Sequence, residues 1–246
     1  MRSLTPNPAR HPEICRRRLL TMSAWAAGAL MAGGCAAASA AAPGWKDFLA
    51  AIKRDDPDLA ATLINRGFDQ NAMSPDGQVA LVSAIREPSP KVVRILLSTR
   101  RTQVEVKNKA GETPLMMAAI RCDLELTRQL IARDAAVNKT GWTPLHYAVS
   151  GATVTPKQQT DMVGLLLEHY AFIDAESPNG TTPLMMASFY GREESAFLLL
   201  QEGADTAMRN QQGLTALDFA RKANRQELAA AIERKMAERK PSPPAR

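Results

Sequence analysis

Apolar positions along this chain keep a helical period and are cut into short pieces by polar turns. Trp45, Phe48, Leu49 and Ile52 recur at i, i+3, i+4 and i+7, one face of a first helix. Asp55-Asp56-Pro57-Asp58 turns the chain. Leu59, Leu63 and Ile64 carry a second helix, and Gly67 stands where a left-handed glycine ends one. The alternation then continues in pairs. Val79–Arg86 is followed, across Pro88 and Pro90, by a helix through Val92, Val93, Ile95, Leu96 and Leu97. Pro114–Arg121 is followed by a helix through Leu124, Leu126, Leu130 and Ile131. Leu198-Leu199-Leu200 marks the second helix of a later pair. The last pair starts at Thr215 and closes with Leu228, Ala229 and Ile232.

One phrase punctuates these pairs. Gly180–Ala187 reads G-T-T-P-L-M-M-A, Gly111–Ala118 reads G-E-T-P-L-M-M-A, and Gly141–Ala148 reads G-W-T-P-L-H-Y-A. Worn copies lie at Gly213–Ala220 and Gly77–Ala84. The phrase leucines fall at 81, 115, 145, 184 and 217, in steps of 34, 30, 39 and 33. Each letter has a physical use. Gly supplies a positive φ for a tight turn. Thr is an N-cap, accepting from the first helical turn. Pro at the first helical position sacrifices no hydrogen bond. Leu begins the apolar stripe, and the small Ala lets neighbouring helices approach.

A period near 33 carrying T-P-L-x-x-A resembles the ankyrin repeat. The resemblance covers about residues 43–235 and implies an all-α repeat solenoid of about five to six units including caps, each a helix–turn–helix with a β-hairpin finger. The units fall at about 43–76, 77–110, 111–140, 141–179, 180–212 and 213–235, with 236–246 a disordered, proline-rich tail. The unit from Gly141 is irregular. About three residues are missing before Gly141, which clips its finger, and about six are added between its helices across Gly151–Thr160. That insertion is either loop drift or a local rebuild for a partner.

Binding is what the resemblance implies for function, through finger tips and the inner helices of an extended concave surface. The finger positions singled out are Glu112, Lys139, Trp142, Asn179, Thr181 and Gln212. The inner-helix positions are Arg121, Phe189, Tyr190 and Lys222. Trp142 is either an interface anchor or a cover for its own clipped finger, while Phe189 and Tyr190 are read chiefly as packing against the next unit. An unidentified protein partner is expected, with a monomeric chain. Among partners of this kind an inhibitor or immunity protein, blocking an enzyme or toxin, is the second reading.

Charge and cysteines change the picture once the amino terminus is set apart. Arg16-Arg17-Arg18 precedes an apolar run from Leu19 to about Ala32, and small residues follow to Ala42. That order is a secretory signal covering 1–42, with Ala38-Ser39-Ala40 or Ala40-Ala41-Ala42 as cleavage site. Arg16-Arg17-Arg18-Leu19-Leu20 also resembles a twin-arginine signal, with Cys15 where Ser or Thr is usual. Sec and twin-arginine export both stay open. Ala32-Gly33-Gly34-Cys35 is a poor lipobox. The expected location is the periplasm or secreted space, with no membrane span after cleavage.

The whole chain carries 31 Lys and Arg against 25 Asp and Glu, a net +6. Without residues 1–42 the balance is 26 against 24, or +2. The basicity therefore belongs to the export segment and does not argue for nucleic acid. Cys122 would be the single cysteine left, so no internal disulfide is expected. Chemistry is sparse. His146 sits in the phrase, where the resemblance makes it structural; His169 lies near a helix end. No metalloprotease, Cys-x-x-Cys, nucleophile-elbow or P-loop pattern occurs. Met116, Met117, Met185 and Met186 read as core filler. No cofactor, metal site or catalytic set is expected.

Overall fold

The computed structural model describes residues 44–151 and 154–238. The expected export segment, with Cys15 and Cys35, lies outside the described residues. Twelve helices follow in six antiparallel pairs: α1 (Trp45–Arg54) with α2 (Pro57–Asn65), α3 (Ala80–Arg86) with α4 (Pro90–Ser98), α5 (Pro114–Ile120) with α6 (Leu124–Ile131), α7 (Pro144–Ser150) with α8 (Pro156–Glu168), α9 (Pro183–Phe189) with α10 (Glu193–Gln201), and α11 (Ala216–Lys222) with α12 (Gln226–Glu238). First helices stack side by side as an inner row, and second helices form an outer row. Helix α12 runs on to Glu238, three residues into the stretch 236–246 that was expected to be tail.

The phrase does locally what its chemistry requires. Thr113, Thr143 and Thr182 are N-caps accepting from the amides of Met116, His146 and Met185, and Pro114, Pro144 and Pro183 open the helices. Their apolar sides are fully covered: Leu115, Leu145 and Leu184 have no exposed surface. Two hydrophobic clusters result. One runs from Phe48 to Ala135, the other from Ala119 to Ile232, and Val137 and Tyr147 pack against both. Full burial of such a leucine is worth about 1.5–3 kcal/mol, so each unit is held chiefly by its neighbours.

Polar side chains tie unit to unit as well. Asn71, Glu105, Asn138 and Asp174 occupy one position in successive units. Their oxygens accept from the amides of Gln103 (2.9 Å), Ala136 (2.7 Å), Phe172 (2.7 Å) and Asp205 (2.9 Å) in the following unit.

The unit from Gly141 differs from its neighbours in its second helix. The polar insertion is not wholly loop: α8 has 13 residues against 8 in α6, extended at its start and capped by Thr155. Within it Gln159 is fully buried and satisfied three times. It donates to Gly151 O (3.0 Å) and accepts from Arg192 N (2.8 Å) and Ser195 Oγ (3.0 Å). The fingers are also less sheet-like than expected, since the sole β-bridge among the described residues is Met73 to Val79.

Candidate protein-binding face

Four fingers share one hydrogen-bonded turn. Ser74, Asn108, Ser177 and Asn210 each accept, through the side chain, from the amide four residues on. Their carbonyls accept from the turn glycines Gly77, Gly111, Gly180 and Gly213 at 2.8–2.9 Å. All four glycines have φ between 74° and 84°, a region a side chain would strain. The finger before Gly141 lacks this turn. Asn138 already stands three residues before Gly141, whereas its counterpart Asn71 stands six before Gly77.

The predicted finger residues fare differently. Glu112 is half-buried and committed, pairing with Arg86 and accepting from Asn108 Nδ2 (2.6 Å). Lys139 Nζ donates to Gly111 O (3.0 Å), and burial first, then Lys107 nearby, lower its pKa. Thr181 is buried and gives its carbonyl to His146 Nε2 (2.9 Å), so its side chain offers no free surface at the tip. Asn179 and Gln212 are exposed. Trp142 is 38% exposed and meets the His146 ring edge-on at 5.4 Å.

His146 is structural. Its Nδ1 lies 2.8 Å from Thr143 Oγ1 and accepts the Thr143 amide at 3.2 Å, so Nε2 carries the proton it gives to Thr181 O. Burial holds its pKa below the ordinary histidine value. Met116 and Met185 take the same place in their units, sulfur facing the amides of Thr113 (3.4 Å) and Thr182 (3.5 Å). Cys122 is buried and its thiol pKa is pushed up to about 11 by burial, which keeps it protonated.

On the inner row the structure assembles an aromatic group. Phe189 packs edge-on against Tyr190 (4.7 Å) and Phe219 (6.0 Å), and Lys222 lies 5.9 Å over the Phe219 ring. Tyr190 remains 63% exposed while Phe189 is half-buried. Arg225 fixes the end of α9 from the next unit, donating to Ala187 O (2.9 Å) and Phe189 O (3.1 Å). Phe219 was not among the predicted site residues; its place in the worn phrase is that of Met186 one unit earlier and of Tyr147 two units earlier. Tyr147 was also missed. It is half-buried beside Glu112, and burial, then Glu112, raise its pKa.

Arg121 lies at the far end of α5 from Glu112. It lines a cleft of about 330 Å³ between α4 and α6 with Arg94, Asp123 and Glu125. Two further aromatics, Tyr170 (85% exposed) and Phe172 (65%), follow α8 and went unremarked in the sequence. Among the described residues no group of three His, Cys, Asp or Glu side chains could hold a metal ion, and no helix is long and apolar enough to cross a membrane.

A stack of helix pairs with a continuous inner face and a row of turns at one edge defines a repeat protein built to present surface. Residues 98–177 and 155–233 match the model for ankyrin repeats (3 copies), and the chain belongs to the ankyrin-repeat family. It is 30% identical over 172 residues to the B-cell lymphoma 3 protein homolog of Mus musculus, covering 67% of this chain and 37% of that protein. It is 28% identical over 179 residues to the transient receptor potential cation channel subfamily A member 1 of Homo sapiens, covering 68% and 15%. The chain thus spans well under half the length of these relatives. Its fold also matches, with a TM-score of 0.65 and 26% identity, a chain in the structure of the Bd0816 predatory endopeptidase from Bdellovibrio bacteriovorus in complex with immunity protein Bd3460. That match covers 78% of this chain and 100% of the other.

Proposed function

We propose that this chain is a non-catalytic recognition module, exported to the periplasm, that holds one protein partner against its inner-helix face. Ankyrin repeats serve protein–protein interaction, and the observation that carries the placement is the cluster of Phe189, Tyr190 and Phe219. It is partly exposed, yet held rigid from the next unit by Arg225. Aromatic side chains on rigid supports are the usual anchors of interfaces. The order of basic, apolar and small residues in 1–42 supports export. The histidine in the phrase is locked by three partners and the buried thiol is protonated, so neither is poised as a base or nucleophile.

A second reading makes the partner an endopeptidase that the chain blocks. It is favoured by the match to a chain from an endopeptidase–immunity protein complex, which covers the whole of that chain and 78% of this one. One experiment addresses both. The chain and its Tyr190→Ala/Phe219→Ala variant are used as baits in envelope extract, and any captured protein is assayed for peptidase activity with and without stoichiometric bait. A partner held by the first bait and lost by the second supports the module, and loss of peptidase activity at one equivalent supports the blocker. Equal capture by both baits contradicts this placement of the face.

A further inference from the structure

We infer that the exposed aromatic pair Tyr170 and Phe172, at the end of the outer helix α8, is the docking surface for this chain's own proline-rich segment 239–246. The turn after each second helix has two outward positions, and they hold Gly67 and Asp69 in the first unit, Gly203 and Asp205 in the fifth. Only the unit from Gly141 carries aromatics there. Tyr170 and Phe172 flank the buried Ala171 and stand 85% and 65% exposed. Their backbone is fixed from the unit before: Asn138 Nδ2 donates to Tyr170 O and Asn138 Oδ1 accepts from Phe172 N, each at 2.7 Å. Phe172 also forgoes a bond its counterparts make, since Asp69 and Asp205 accept from the amides two residues on. Two large rings thus stand on a rigid turn where the first and fifth units place Gly and Asp.

Charge and reach name the occupant. Glu168 precedes Tyr170 by two residues, Asp134 holds the place of Tyr170 one unit back, and Glu202 stands beside Gly203 one unit on. All three are exposed, and none has an ion-pair partner among the described residues. Arg133, next to Asp134, gives its guanidinium to the carbonyls of Leu97, Thr99 and Thr102 in the preceding unit; His169 is the remaining basic group of the turn. Residues 141–238 as a whole carry 8 Lys and Arg against 12 Asp and Glu, a net −4, whereas residues 44–140 carry 15 against 12, or +3. Residues 239–246 read Arg-Lys-Pro-Ser-Pro-Pro-Ala-Arg, with three cations, no acidic side chain and a Pro-x-x-Pro from Pro241 to Pro244. Such a segment is pre-ordered as polyproline II and lays its rings on exposed aromatics at little entropic cost. Its cations meet the carboxylates and the ring faces. The segment starts close by. Glu238, the end of α12, lines one depression with Gly203, Ala204, Asp205 and Thr206, the turn one unit beyond Tyr170. Lys235, the cation of that depression, lies 3.7 Å from Glu238. Packed helices stand about 8–10 Å apart and polyproline II gains about 3.1 Å per residue, so Pro241 reaches the Tyr170 turn.

A synthetic peptide of residues 239–246 is titrated into three chains and followed by the amide resonances of Tyr170 and Phe172. The chains are the 246-residue chain, one ending at Glu238, which keeps all twelve helices, and the shortened chain with Tyr170→Ala/Phe172→Ala, followed by the amides of its changed residues. Thermal melts check that each folds. The shortened chain should bind the peptide saturably, with shifts at both amides. The double variant should bind it roughly fivefold or more weakly, and so should the 246-residue chain, whose tethered tail fills the surface at a millimolar effective concentration. A Lys240→Glu/Arg246→Glu peptide should lose affinity for the shortened chain as well. Equal binding by the chains with and without their own tail would give the surface to a proline-rich segment of another protein and overturn the tail as its occupant. Absence of a saturable shift at Tyr170 and Phe172, or equal binding by the double variant, overturns the surface itself. The urea titration of Tyr170→Gly belongs to the shortened chain, where the ring has no tail to lose.

Discussion

Tyr170 and His146 show how far a single residue is bent to the repeat. Tyr170 has φ 61°, in the left-handed region that Gly67 and Gly203 occupy at φ 98° and 92°. A side chain there costs roughly 1–2 kcal/mol, partly offset by the entropy a glycine would lose. Tyr170→Gly should raise the unfolding free energy by on the order of 0.5–1 kcal/mol in a urea titration; a loss of stability would show that the ring is packed, contrary to its exposure. His146 is buried neutral and its folded pKa is depressed. The unfolded chain therefore takes up the proton first. The stability of the neutral ring is whole above about pH 6.5 and drains away as pH falls through the lower folded value. His146→Met, copying Met116 and Met185, should lower stability at pH 7.5 by about 1 kcal/mol through the lost bond to Thr181 and flatten the decline between pH 7 and 5. An unchanged decline would place the titrating group elsewhere. The Thr caps, the prolines and the structural histidine were legible in the sequence because all are local chemistry. Thr181's burial was not, because it depends on the His146 ring reaching across from another unit.

At the scale of elements, the clipped finger was readable from spacing alone, and its consequences were not. Only the structure shows that Lys139 Nζ donates to Gly111 O and that the Pro178 ring stands beside Gly141. The insertion before α8 misled for a plainer reason. Thr155, Gln158 and Gln159 are polar, and polar residues after a break read as loop, yet Thr155 caps a longer helix and Gln159 is swallowed by it. Gln159 joins the α7–α8 turn to the start of α10 through three hydrogen bonds. Gln159→Ala leaves the Ser195 hydroxyl, the Arg192 amide and the Gly151 carbonyl short of a partner. Unsatisfied buried groups cost about 1–3 kcal/mol, so a drop of at least 2 kcal/mol in the urea midpoint analysis is expected. A change below about 0.5 kcal/mol, the range of ordinary surface substitutions, would contradict the staple.

The whole molecule is a one-dimensional stack whose two hydrophobic clusters meet at Val137 and Tyr147, beside the irregular unit. Ankyrin repeats, pair order and stacked core followed from a phrase repeated at near-constant spacing, since each copy asks its neighbours for the same cover. The working face was legible only in part. Phe189, Tyr190 and Lys222 do come together, but Phe219, which completes their surface, stands in a worn copy of the phrase whose Pro is lost. Arg121 points to a separate cleft. The most direct test is a calorimetric titration of the captured partner with the chain and with Tyr190→Ala. A true anchor costs about 2 kcal/mol or more, so the variant should bind roughly 30-fold more weakly with its melting temperature unchanged. Equal affinity in the two titrations would mean that the inner-helix aromatics are packing alone and that the partner is held elsewhere.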